Sequence, residues 1–215
     1  MSTHTFTKEE EVVNSITHAV GIVISIVTLI LLTVYAAMYG TTIHLVSFIL
    51  FGVTMLLLYT SSTLLHALPK GRWKDTFEVM DHASIYFFIA GTYTPFLFIA
   101  VQGPLGWTLF GVVWGAALAG TVLKFFFVKK YMFLSTAGYI VIGWQMVFVW
   151  DSITASLSST GLAFLITGGI LYTVGAVFYM WRAFKYHHAV WHLFVLAGTA
   201  AHIISVSTLL HINFT

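Results

Sequence analysis

Residues 12–69 read VVNSITHAVGIVISIVTLILLTVYAAMYGTTIHLVSFILFGVTMLLLYTSSTLLHALP, without a single Asp, Glu, Lys or Arg. A bilayer crossing needs roughly 20 predominantly apolar residues at about 1.5 Å rise each. This segment therefore holds two helices and a turn, but not three helices with their connections. The apolar run is continuous rather than alternating, which favours helices over the period-two strands of a membrane barrel. Gly40-Thr41-Thr42 supplies the break between the two helices. Outward from this stretch, the remaining charges divide the chain in the same way. Residues 82–123 accommodate two further spans, and 131–150, 152–181 and 186–215 one each. The chain thus reads as an all-α integral membrane protein, a bundle of seven transmembrane helices. The expected spans are 17–39, 43–66, 79–101, 105–127, 131–150, 162–182 and 189–211. Further turns fall at Pro69-Lys70-Gly71, at Gln102-Gly103-Pro104 and in the Ser/Thr-rich stretch Ser156–Gly161.

Composition closes off the other classes. Of 215 residues, 59% are hydrophobic and only 7% charged, with a mean hydropathy of +0.95. A soluble domain carries roughly 25% charged residues, so this chain lacks the ionic surface to be one. The same numbers exclude disorder and coiled coil, and a net charge of +2 without a long basic patch excludes nucleic-acid binding. There is no cysteine, hence no disulfide, no thiolate metal site and no thiol nucleophile. Residues 1–16 are acidic and polar, the reverse of a signal peptide's basic start. They are expected to form an N-terminal tail ahead of a helical domain at 17–215. With seven spans, the N-terminus shares a side with the connections after spans 2, 4 and 6. All nine basic residues fall there: Lys8, then Lys70, Arg72 and Lys74, then Lys124, Lys129 and Lys130, then Arg182 and Lys185. The positive-inside rule places the N-terminus in the cytoplasm and the C-terminus outside the membrane. Trp73, Trp107, Trp150, Trp181 and Trp191 lie near expected helix ends, as interfacial anchors do. Gly111, Gly115, Gly120 and the Gly168-Gly169 pair are expected to be close-packing points between helices.

The ten histidines sort by depth. His4 falls in the tail, His44 and His211 near outer helix ends, and His202 in mid-span, where an interhelical hydrogen bond is the ordinary role. The informative group lies at the opposite, cytoplasmic end. His66 closes span 2 with Ser62 one turn before it. Asp81 opens span 3, followed by His82. His188 and His192 open span 7 at i, i+4, on one face of the helix. Three imidazoles and a carboxylate thus arrive at one depth from three helices, an arrangement that suits zinc with one open position for water. Each part also has a plain reading. The HxxxH pair can be interfacial, Ser62 a packing residue, and Asp81 a partner of the span 3 helix dipole; His82, facing away from Asp81, is structural or supports the group indirectly. A second polar set, Glu11, Asn14 and His18, is spaced along one face of span 1. It is either an amphipathic helix start or a supporting hydrogen-bond network at the same mouth.

Taken together, Glu11-x2-Asn14-x3-His18, Ser62-x3-His66, Asp81 and His188-x3-His192 resemble the progestin and adipoQ receptor family, and in particular its bacterial branch, hemolysin III. DHASIYFFIAGTYTPF (81–96) and HLFVLAGTAAHIISV (192–206) strengthen the bacterial likeness. The resemblance covers almost the whole chain. It implies seven helices with a cytoplasmic N-terminus, a multi-pass location in the bacterial plasma (inner) membrane, and Zn2+ held by His66, His188 and His192. It also implies Asp81 bonded to a water on the metal and Ser62 close by. The wider superfamily includes alkaline ceramidases, which implies hydrolysis of lipid amides or esters, with membrane lipids as partners, Asp81 as the base and Ser62 as an oxyanion donor. Two other readings stand beside it: a membrane sensor or receptor with a structural zinc, and a cytolytic membrane protein.

Overall fold

A computed structural model describes residues 6–128 and 130–212; His4 and Lys129 lie outside them. The described chain is helical, with α1 (Lys8–Tyr39), α2 (Thr42–Ala67), α3 (Arg72–Pro95), α4 (Gly103–Phe127), α5 (Met132–Gly143), α6 (Trp150–Ser156), α7 (Ser159–Met180) and α8 (His187–Ser207). α3 runs on through a π turn, Phe96–Val101, and α8 through a 3₁₀ turn, Thr208–His211. α5 and α6 are joined by the 3₁₀ turn Gln145–Val149 into one crossing. Among the described residues, seven stretches are long and apolar enough to cross a membrane, ending at Tyr39, Ala67, Val101, Phe127, Ser156, Met180 and His211.

Three boundaries differ from the sequence expectation. The third span begins at Arg72 rather than at 79, so Asp81 lies well inside α3 instead of opening it. α1 begins at Lys8, nine residues before the expected start of the first span at 17. The cause is a capping box: the Thr7 hydroxyl accepts from the Glu10 N–H, and the Glu10 carboxylate accepts from the Thr7 N–H at 2.9 Å. Glu9, Glu10 and Glu11 then fill the first turn, where the helix dipole favours acids. The fifth span continues past Asp151 to Ser156, which leaves Trp150 inside the crossing rather than at its end. Its helical ladder breaks in the middle, and Tyr93 repairs the break from α3. The Tyr93 hydroxyl donates to the Gly143 carbonyl at 2.8 Å and accepts from the Met146 N–H at 2.9 Å.

α1 packs on α2, α2 on α3, α3 on α4, α7 on α8, and α8 closes back on α1. α3 is the most buried span, so it serves as the central post. The surface is inverted relative to a soluble protein. Large apolar side chains such as Leu31, Phe126, Phe133 and Phe148 are exposed, while Asn14, His18, Ser62, Asp81 and His192 are buried. That distribution fits a hydrocarbon solvent outside and polar function within. The glycine expectation holds only in part. Gly120 receives the Tyr86 ring and Gly168 the His202 ring, but a Cβ at Gly111 or Gly115 would meet nothing within 4 Å. Those two lie on the outward face of α4, which is apolar all round and so carries no periodic signal of which side faces in.

Candidate metal centre

The first turn of α1 organises one end of the bundle through three consecutive acids. The Glu9 carboxylate pairs with Lys185 at 2.8 Å, and Glu10 Oε1 accepts from the Tyr186 N–H at 3.1 Å. Tyr186 is held in the left-handed region at φ 64, the sharp turn from which α8 departs with His187, His188 and, one turn on, His192. Such a conformation is uncommon for a residue with a Cβ, and the bond from Glu10 keeps it in place. Glu11 turns inward. Its Oε2 lies 2.6 Å from His66 Nδ1 and its Oε1 2.9 Å from Lys74 Nζ. Lys74 also donates to the carbonyls of Leu65 at 2.7 Å and Leu68 at 3.2 Å, tying the end of α2 to the start of α3.

The second histidine is oriented by α1 as well. His192 Nδ1 lies 3.2 Å from the Asn14 carbonyl and 3.0 Å from Thr17 Oγ1. A carbonyl only accepts, so Nδ1 carries the hydrogen and Nε2 keeps its lone pair. The carboxylate of Glu11 imposes the same tautomer on His66. The Nε2 atoms of His66 and His192 are both buried without a hydrogen-bond partner among the described residues. One ring nitrogen from each of His66, His188 and His192 lies within 4.8 Å of the other two, and all three residues are buried. Imidazoles with Nδ1–H anchored to a carboxylate or carbonyl and Nε2 turned inward are the usual arrangement around a bound metal. Together with a ring nitrogen of His188, these atoms form a buried group that could hold a metal ion.

Beside the trio, Asp81 is 2% exposed and its Oδ1 has no hydrogen-bond partner among the described residues. His66, Ser62 and Lys124 are its electrostatic neighbours. The structure therefore brings His66, His188, His192, Asp81, Ser62 and Glu11 together. Asn14 participates through its backbone carbonyl, while its buried side-chain amide has no partner among the described residues. The ring nitrogens of His18 have no hydrogen-bond partner among the described residues; the ring stacks on that of His192 at 3.4 Å. His82 contributes its carbonyl to Tyr139 at 2.9 Å and lines the mouth of the site. Sequence reasoning missed Thr17, Lys74, Tyr186, Lys124 and Phe6. Lys74 and Lys124 were counted only for topology, and Thr17 sits unremarked inside the Asn14–His18 motif. Phe6 packs its ring on His188 at 4.9 Å, covering the site from the chain's start.

Two cavities flank the trio. A polar one of about 220 Å³ is lined by Phe6, Glu11, His66, Lys74, Asp81 and His188 among others. An apolar one of about 150 Å³ runs from His18 and Trp191 past Phe88, Tyr93 and Tyr172 to His202. Tyr179 lines both.

These features define a class: a polytopic membrane protein of seven helical spans with a buried trio of histidines able to hold a metal. Within that class, the chain belongs to the family described as Haemolysin-III related, which it matches over residues 6–203. It is 52% identical to the "Hemolysin-3 homolog" of Bacillus subtilis (strain 168), over 91% of this chain and 92% of that protein. It is 45% identical to "Hemolysin-3" of Bacillus cereus, over 89% and 88%. A more distant relative is the "Monocyte to macrophage differentiation factor" of Homo sapiens, 31% identical over 71% of this chain and 66% of that protein. No solved structure matches the chain.

Proposed function

We propose that the protein is a zinc-dependent intramembrane hydrolase acting on lipid amides or esters, multi-pass in the bacterial inner membrane with its N-terminus in the cytoplasm. The observation that carries this reading is the histidine trio set beside Asp81, whose buried Oδ1 has no partner among the described residues, between a polar mouth and an apolar cavity. A zinc ion held by His66, His188 and His192 would supply Lewis acidity and lower the pKa of water at the site. The chain's own residues do the rest. Asp81 accepts a proton from the attacking water and returns it to the leaving nitrogen or oxygen. The Ser62 hydroxyl, beside Asp81, is the donor for the developing negative charge on the carbonyl oxygen. The apolar cavity takes a lipid chain, and the polar mouth admits the headgroup and water.

A second reading is favoured by one observation. The trio joins α2 to α8, so a metal there would staple the two helices as in a sensor with structural zinc. A cytolytic role, the activity that the word hemolysin names in its relatives, fits less well. An exterior this apolar offers no water-soluble phase from which to attack a foreign membrane. The variant Asp81→Asn separates the two leading readings, because it keeps shape and hydrogen bonding but removes the base. At matched expression and unchanged zinc content, it is expected to lose about 10²–10⁴-fold of lipid amide or ester turnover. Full turnover, or unchanged membrane lipid composition relative to wild-type cells when a deletion strain does change, would replace the hydrolase with the sensor.

A further inference from the structure

We infer that Phe6 is a lid on the polar cavity, closed over the histidine trio, and that a metal ion reaches or leaves the trio only when its ring swings aside. The inference rests on the reading of the trio as a metal site. The sequence around Phe6 explains where the ring lies. Thr7 is the N-cap of α1 and Lys8 its first helical residue. An apolar residue just ahead of an N-cap ordinarily packs on an apolar side chain at the fourth helical position. Here that position is Glu11, whose carboxylate is committed to His66 and Lys74. Deprived of that partner, the Phe6 ring lies across the histidines of α2 and α8. Its centroid is 4.9 Å from that of His188, 5.9 Å from that of His66 and 6.0 Å from that of His187.

The ring also stands on the route a cation would take. Of the two cavities that flank the trio, the apolar one excludes a hydrated ion, which would have to give up its water for hydrocarbon. The polar one invites it. Glu11, Asp75, Glu78 and Asp81 line that cavity against Lys70 and Lys74, so carboxylates draw a cation toward His66 and His188 on the same wall. Phe6 lines it too and is half-buried, with part of its surface on the imidazoles and part exposed. The other rings around the trio are fixed. His18 stacks on His192 at 3.4 Å and Trp191 packs on His188 at 4.7 Å, both from within helices. Phe6 precedes the helix, and Thr7 after it is extended at φ −66, ψ 161. Rotation about the backbone bonds of Phe6 therefore carries the ring away while the capping box at Thr7 stays made. What opposes the swing is the ring contacts, each worth roughly 2–12-fold in the ratio of closed to open.

The test uses the purified protein in nanodiscs, loaded with zinc. Release is followed after mixing with an excess of a chromogenic chelator, and uptake after adding zinc to the stripped protein. Chelator competition gives the dissociation constant. Phe6→Ala and Phe6→Ser are expected to speed release and uptake by the same factor, roughly 5–50-fold, the range of two or three ring contacts. The dissociation constant is expected to stay unchanged, because a lid alters both rates and cancels in their ratio. Phe6→Tyr, which keeps the ring, is expected to exchange zinc at the wild-type rate. Two truncations of different polarity guard against one that fails to fold. Wild-type rates in both truncations, faster release without faster uptake, or fast exchange in Phe6→Tyr overturns the lid and leaves the metal site standing. A wild-type protein that takes up no zinc overturns both.

Discussion

A carboxylate oxygen 2.6 Å from His66 Nδ1 decides which nitrogen of that ring is left for a metal. Glu11 exerts this control only because Lys74 holds its other oxygen at 2.9 Å and is itself anchored to the α2 carbonyls. Glu11→Gln retains an acceptor but loses the charge that makes the imidazole a strong ligand. It is therefore expected to weaken zinc binding by about 10–100-fold, measured by chelator competition on purified protein. Direct ligands behave differently. His66→Ala and His192→Ala should each lose most of about one zinc per chain, since two imidazoles make a poor site. His82→Ala and His202→Ala should retain it, because neither belongs to the trio. Full zinc in His192→Ala would reject the ligand set, whereas an unaltered affinity in Glu11→Gln would show that the ring needs no help from α1.

At the scale of elements, α7 and α8 approach through Gly168, where the His202 ring occupies the space a side chain would need and the Gly198 carbonyl lies 3.1 Å from a Cβ position. Gly168→Ala is expected to destabilise the protein in detergent by about 1–3 kcal/mol through overpacking. Gly111→Ala, which meets nothing within 4 Å, should fall within about 0.5 kcal/mol of wild type or gain helix propensity. Equal melting temperatures for the two would mean that the α7–α8 approach is looser than described. This pair also shows where sequence reading stops. The seven spans were legible because charged residues are so few that they delimit the apolar runs. The faces of those runs were not, because a helix apolar all round has no moment to orient it. Gly111 and Gly168 look alike in the sequence and differ only in what stands opposite. The start of α1 and the break between α5 and α6 were hidden for a related reason. Each depends on partners, Thr7 with Glu10 in one case and Tyr93 with Gly143 and Met146 in the other, that only the folded chain assembles. His66, Asp81, His188 and His192 stood out as polar residues at one depth in an apolar chain. Thr17 and Tyr186 did not, since one supports a ligand from behind and the other contributes a backbone N–H.

For the whole molecule, polar chemistry and positive charge gather at one end. Lys74 and Lys185 pair with the first turn of α1, and Lys124 neighbours Asp81, so the end that carries the histidine trio also carries the basic residues. Insertion follows the Lys/Arg bias of short loops, to which Asp and Glu contribute little. The acidic run Glu9–Glu11 therefore does not offset Lys8. With seven crossings, the termini lie on opposite sides. A reporter at the C-terminus is expected to be active only outside the cytoplasm, and one inserted between Lys70 and Gly71 only inside it. The result fixes more than orientation. If it holds, the polar mouth lined by Glu11, Lys74 and Asp81 opens toward the cytoplasm, and a lipid substrate arrives from the inner leaflet. If both reporters give the reverse pattern, the histidine geometry is untouched, but the mouth faces outward and the substrate belongs to the outer leaflet. If both report from one side, the number of crossings is even. One of the seven helices then lies outside the bilayer, and the shared depth of α2, α3 and α8, on which the site depends, has to be argued afresh.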